Sequence, residues 1–316
     1  MKTLFPSLKA LVAAAVMVMQ CHAAITWTPH VCGGKSFAGV DADQMWDNAR
    51  LMARRAIEKI NEAKTADSIN PLSSESCAAN NCKWLWGTKP DLRHRINDED
   101  KQKLDGVTEN LSRVFNLLST NAGHFFCDDD VFQWGPIDVY ATGAWQYRLP
   151  DAPGSVIIVQ KYAGATNPPR LCAVDSSGIT LGQTLRGYMP VLNAQGEVID
   201  RVDVNVIVFC MRNHLARLKG VLGLNYKPSD GLFPDPDKYS SGAGTILHEM
   251  FHLLGLDFAD KESEYFSGPA YGYARVVKLA EKDQEDAFKN PDNYRVFAEM
   301  SMADPSTRWA ATKPLP

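Results

Sequence analysis

The chain has 316 residues, 45% of them hydrophobic and 22% charged, with a net charge of −4 at neutral pH. A mildly acidic chain with no basic cluster does not suit the phosphate backbone of a nucleic acid. Its length allows one large domain or two small ones, with ample material for a core.

Lys2 and Lys9 form a short basic lead, and Leu11 to Met19 is an apolar run of about nine residues. That run is too short to span a bilayer as an uncleaved anchor. Cys21-His22-Ala23 offers small side chains at the −3 and −1 positions, so residues 1–23 read as a signal peptide and the protein as secreted and extracellular. No later stretch approaches the roughly 18 apolar residues of a membrane helix, so no membrane association is expected.

Asp41 to Ala63 reads as a long amphipathic helix, with Met45, Trp46, Ala49, Met52, Ala53, Ala56, Ile57 and Ile60 at helical spacing. Pro71 to Asn81 reads as a polar loop. A second helix is expected over Asn97 to Leu118, carried by Leu104, Val107, Leu111, Val114, Phe115 and Leu118. The middle third is rich in β-branched and aromatic residues, with expected strands over 131–140, 155–162 and 202–210. A short helix is expected over 212–222 and a Pro-, Asp- and Gly-rich loop over 225–241. Gly244 to Leu254 reads as an apolar helix stopped by Gly255. Further helices are expected over 273–282 and 290–302, then a loose tail over 304–316, where Pro305 discourages continuation. Helices flanking a small sheet give an α+β class.

Seven cysteines are present, and Cys21 falls in the expected leader. The other six are Cys32, Cys77, Cys82, Cys127, Cys172 and Cys210; in a secreted chain they suggest three disulfides, with the pairing open. A cysteine zinc cluster is disfavoured, because only Cys77 and Cys82 are close in sequence. Asn110-Leu111-Ser112 is an N-glycosylation triplet. Asp128-Asp129-Asp130 lacks the alternate spacing of a calcium loop and reads as a solvated turn. His30, His94, His124 and His214 have no partner spacing and read as ordinary surface or core residues.

The segment with chemistry is His248-Glu249-Met250-Phe251-His252. Histidines four apart on a helix share one face, so both imidazoles can bind one Zn²⁺ at roughly 2.0–2.1 Å. Glu249 can then serve as general base toward a water on the metal. A third protein ligand must come from further along the chain. Position 258, where an extended His-Glu-x-x-His-x-x-Gly-x-x-His pattern needs it, is Phe. Asp257, Asp260, Glu262 and Glu264 are the acids that follow.

Leu247 to His252, Ala270-Tyr271-Gly272-Tyr273, Val277 to Ala280 and Asn290 to Ala298 together resemble the deuterolysin or aspzincin metallopeptidases. The similarity is greatest to the fungal lysine-specific metallo-endopeptidase-like group, and it covers about residues 243–300. Trp84 to Gly87 and the strand ending at Cys210 echo it upstream. The resemblance implies a zincin-like metallopeptidase domain over 24–303, with a helical and β portion over 24–205 and a zinc-site portion over 206–303. It also implies an aspartate as third zinc ligand. Ser267 to Ala270, before Tyr271, holds no ligand; the family's more divergent members place the aspartate earlier, and the resemblance to them implies Asp260 first, then Asp257, with Glu262 and Glu264 behind them. Tyr271 is implied as the donor to the oxyanion, while Tyr294 and Phe297 are expected to pack beneath the active-site helix.

The expectation is a monomeric, secreted zinc endopeptidase acting on protein or peptide substrates. His248, His252 and Asp260 would hold Zn²⁺, and Glu249 and Tyr271 would be catalytic. The alternative is a catalytically inactive zinc-binding or surface protein on a peptidase scaffold.

Overall fold

The computed structural model describes residues 25–67, 74–93, 95–136, 143–152, 154–175, 178–213, 215, 218–229, 231 and 233–309. The expected signal peptide, His94, His214, the end of the expected 131–140 strand and the last residues of the expected tail lie outside the described residues.

Helix α1, Ala42–Thr65, starts where the Asp41 side chain accepts the Gln44 N–H at 2.8 Å. Of its expected stripe, Met45, Trp46, Ala49, Met52, Ala53, Ala56 and Ile60 are fully buried and Ile57 is partly buried. Helix α2, Ser74–Trp86, stands where the sequence suggested a polar loop over 71–81. Its buried face is made of small residues, Ala78, Ala79 and Cys82, ending in Leu85 and Trp86. The Ser, Glu and Asn residues between them hide that face from a reading by hydrophobicity. Helix α3, Asp98–Leu117, is capped by Asn97, whose side chain accepts the Asp100 N–H at 2.8 Å.

The sheet has seven strands: β1 Thr28–His30, β2 Gly123–Cys127, β3 Gln133–Pro136, β4 Gly143–Arg148, β5 Val156–Val159, β6 Gly182–Leu192 and β7 Val198–Phe209. Their spatial order is β1-β2-β7-β6-β5-β4-β3. The β1–β2 and β2–β7 pairs are parallel and the others antiparallel. The sheet is thus larger than the three expected strands. Strand alternation sends Phe125, Ile207 and Phe209 into the core shared with the helices. Phe126, Leu185, Val206 and Val208 point the other way, into a second core with Trp145, Tyr147 and Ile157. This is an α+β fold with a mixed sheet.

Among the described residues of 212–222 the expected helix does not appear; Met211–Asn213 makes a single 3₁₀ turn, and residues 214, 216 and 217 lie outside the described residues. The backbone around Lys219 instead pairs with the segment before the next helix, through Lys219 N–H to Ser240 O at 3.0 Å and Gly242 N–H to Lys219 O at 2.7 Å.

Two disulfides form, Cys32–Cys127 and Cys172–Cys210, rather than the three expected. Cys77 and Cys82 are buried free thiols. Five residues apart on α2, their Cα atoms are about 8–9 Å apart by helix geometry, beyond the reach of a bridge. The Asp128–Asp130 turn is not simply solvated. Asp128 and Asp129 are buried, and Lys35, Arg170 and Arg212 bind the three carboxylates. His30 and His124 also have partners: Nε2 of His30 lies 3.0 Å from Nδ1 of His124.

The C-terminal third supplies α4 Gly242–Phe251, α5 Tyr273–Lys282, α6 Gln284–Ala287 and α7 Pro291–Ser301. All of α7 is buried. Its Tyr294 ring stacks on Phe251 of α4, with centroids 4.2 Å apart, and Phe297 packs on Trp86. The Asn110 amide, on α3, donates to the Tyr294 hydroxyl at 3.1 Å. No described helix is long and apolar enough to cross a membrane.

Candidate metal centre

Helix α4 starts where the Ser241 hydroxyl oxygen accepts the Gly244 N–H at 2.9 Å. Any side chain on Gly244 would run into the Glu299 carboxylate, so α4 and α7 approach closely there. Ile246, Leu247, Met250 and Phe251 are fully buried. They fix the rotation of the helix, and with it the direction of His248, Glu249 and His252. The helix tightens to a 3₁₀ turn at His252–Leu254. Even so, the two Nε2 atoms lie 3.2 Å apart.

The irregular chain after Gly255 brings Asp260 to this pair. Oδ1 of Asp260 is 3.1 Å from Nε2 of His248 and 3.5 Å from Nε2 of His252. Asp257, Glu262 and Glu264 are exposed and stand outside the group. Each histidine is oriented from behind. Nδ1 of His252 lies 2.8 Å from the Phe258 carbonyl oxygen, and Nδ1 of His248 lies 3.3 Å from Oδ1 of Asp292. Such outer partners fix the ring and leave Nε2 free to face a metal.

His248, His252 and Asp260 can together hold a metal ion. Three observations test the fit. The ligand atoms all lie within 4.8 Å of one another. Oδ1 of Asp260 is buried and has no hydrogen-bond partner. Separations of 3.1, 3.2 and 3.5 Å between the three atoms bracket the roughly 3.3–3.4 Å edge of a tetrahedron with ligand bonds of about 2.0–2.1 Å. Two nitrogens and one carboxylate oxygen suit an ion of intermediate softness.

Neighbouring carboxylates set the charge state of the two groups at the centre of the site. Burial works against a charged His248, but the Asp260 and Asp292 carboxylates outweigh it and push its pKa up to about 10. Burial likewise opposes ionisation of Asp260, yet its contact with His248 holds it below the usual carboxylate range.

Glu249 lies beside this group and is nearly buried. Thr184, on β6 below the helix, reaches its carbonyl oxygen at 2.6 Å and its Oε2 at 2.9 Å. The Tyr271 hydroxyl donates to Oδ2 of Asp260 at 2.5 Å, and its ring centroid is 5.7 Å from that of His248. Burial and the Asp260 charge hold that phenol above its ordinary pKa, so it stays a proton donor.

Behind His248 stands a buried ionic chain. Arg295 holds Asp292 through two bonds of 2.5 and 2.9 Å and Glu299 through one of 2.6 Å. Oε1 of Glu299 accepts the Ser241 N–H at 2.7 Å at the start of α4. Oδ2 of Asp292 accepts the Gly272 N–H at 2.7 Å, which ties Tyr271 to the same chain. Burial raises Glu299 against the pull of Arg295, to about 7.

All five predicted site residues therefore line one open cleft of about 1400 Å³. Compared with known protein families and with curated proteins, the chain matches none. The sequence reading did not single out Asp292, Arg295 or Thr184 for the site. Asp292 had one signal, its place in the Asn290 to Ala298 segment that carried the resemblance. Thr184 had none, since β6 itself was not foreseen.

Proposed function

We propose that the protein is a zinc-dependent endopeptidase of zincin-like, aspzincin type that hydrolyses peptide bonds outside the cell. The observation that carries this reading is the convergence of His248, His252 and Asp260 beside Glu249 in an open cleft. The donor set and its edge lengths favour zinc over harder ions that prefer oxygen ligands alone. Two disulfides support an oxidising destination.

When bound, zinc supplies Lewis-acid chemistry, lowering the pKa of water toward about 7 and polarising a carbonyl. The remaining steps belong to the chain. Glu249 takes the proton from the attacking water and returns it to the leaving amine. The Thr184 hydroxyl holds the Glu249 carboxylate in place through Oε2 and leaves Oε1 for this task. Tyr271 swings its hydroxyl from Asp260 to the oxyanion formed at the attacked carbonyl, a donor worth roughly 2–4 kcal/mol. Asp292 holds the His248 ring from its Nδ1 side, which leaves Nε2 beside His252 and Asp260, where it would bind a metal.

The test is zinc content together with casein cleavage, for wild type and Glu249→Gln. One zinc per chain with activity only in wild type is the expected result. One zinc with no cleavage by either protein would favour the alternative of an inactive zinc-binding protein on this scaffold.

A further inference from the structure

We propose that Lys161 and Arg186 form a carboxylate-recognition subsite in the cleft, so that the protein selects peptides with an acidic group near the bond presented to Glu249. This rests on the peptidase reading above and names the substrate class of that same site.

Gly182, Thr184 and Arg186 alternate on β6 with the residues that enter the second core, so all three project to the helix side of the sheet. Thr184 touches Glu249. Arg186 therefore stands about 7 Å further along the same face, beyond the part of the sheet that α4 covers. The Gln160 N–H donates to the Arg186 carbonyl at 3.1 Å, which sets Lys161 at the flank of β6. Both cations line the cleft that contains Glu249.

Among the described residues of the cleft, Arg186 has no ion-pair partner and Lys161 feels only the more distant attraction of Glu249. Arg201 and Asp203 face each other at 3.8 Å. Asp292 is bound by Arg295, and Asp237 accepts the Tyr273 N–H at 2.7 Å. Asp260 and Glu249 belong to the metal centre. Neither Lys161 nor Arg186 makes an ion pair within 4.0 Å among the described residues, and Asn205, opposite Arg186 on β7, is neutral. The ammonium of Lys161 rests 5.1 Å above the Tyr162 ring. Burial pulls it below its ordinary pKa against the attraction of Glu249, so an arriving anion in direct contact would favour its charged form. Two unpaired cations in one concave wall complement a carboxylate and repel lysine. The carboxylate can be an Asp or Glu side chain or the C-terminus of the peptide.

Binding separates these cases without turnover. Zn²⁺-treated Glu249→Gln protein is titrated with fluorescent peptides in matched pairs, Glu against Gln at each position and C-terminal acid against amide. The expected result is about tenfold tighter binding of the Glu peptide at one position. Lys161→Gln and Arg186→Gln should each remove most of that difference. Joint Lys161→Glu and Arg186→Glu substitution should turn the preference toward a Lys peptide. A preference confined to the acid terminus would assign the subsite to a terminal carboxylate. Equal affinities in every pair overturn the proposal. Wild-type cleavage of the same peptides is read separately. Cleavage without charge preference sinks the subsite and leaves the peptidase, whereas charge-selective binding without any cleavage does the reverse.

Discussion

The Thr184 hydroxyl meets Glu249 twice, at 2.6 Å from its carbonyl oxygen and 2.9 Å from Oε2. A residue 65 positions earlier thus fixes both the backbone and the carboxylate of the proposed general base. Gly182 lies on the same strand face, where an added methyl would come within 2.9 Å of Cγ and Oε1 of Glu249. A flexible carboxylate can move aside, so the fold would survive a methyl that displaces the base. Gly182→Ala is expected to lower kcat by about a hundredfold and Thr184→Val by about tenfold, with zinc retained. Steady-state kinetics with metal analysis on the same samples checks both. Unchanged kcat in Gly182→Ala would remove Glu249 from the chemistry.

Asp260 and Asp257 make opposite predictions although only three residues separate them. Asp260→Asn removes the charge that faces both Nε2 atoms and should lower zinc affinity by at least about a hundredfold. Asp257→Asn touches an exposed acid and should leave affinity unchanged. Competition against a zinc chelator distinguishes them, and equal losses in the two variants would overturn the ligand assignment.

Arg295 bridges two buried carboxylates, Asp292 and Glu299. Arg295→Met leaves buried Glu299 without a cation and Asp292 with His248 alone, and should destabilise the protein by about 3–5 kcal/mol in denaturant unfolding. Asp292→Asn keeps a group that can still meet Nδ1 of His248, and should weaken zinc by about 10–100-fold. The expected pattern is a large stability loss in the first and a distinct metal defect in the second. A metal affinity equal to wild type in Asp292→Asn would show that His248 needs no charged partner behind it.

His30 sets an acid limit away from the cleft. Burial lowers its pKa to about 4, helped by neighbouring His124 and opposed by Asp151. Its ring is stacked on Phe126 and meets Tyr147 edge-on. The folded state keeps His30 neutral while the unfolded chain protonates it near pH 6.5, so the unfolded state binds more protons between those values. Stability is therefore lost as pH falls from about 6.5 to 4. Urea midpoints across this window should show the fall, and His30→Phe should flatten it. A slope identical in both proteins would place the acid sensitivity elsewhere, with His124 the next group to test.

By itself the sequence determined what a single helix can express. The spacing of His248 and His252 and the apolar residues around them are local, so periodicity reveals both the helix and the face it presents. Helices α1 and α3 were legible for the same reason. Helix α2 was not, because its buried stripe is built from alanine and cysteine. Six cysteines suggested three bridges, but the placing of Cys77 and Cys82 on one helix left two. Beyond Gly255 the chain is irregular and no period governs it, so composition alone left Asp257 and Asp260 as rivals. Only the tertiary structure brought Asp260 to the histidines, Asp292 behind His248, and Thr184 beneath Glu249. Those contacts join residues 8 to 65 positions apart, across a sheet whose strand β6 carries glycine, proline and arginine in place of a clear alternating pattern. Long-range pairing is set by which faces can be buried together, and a reading of neighbouring residues does not contain that information.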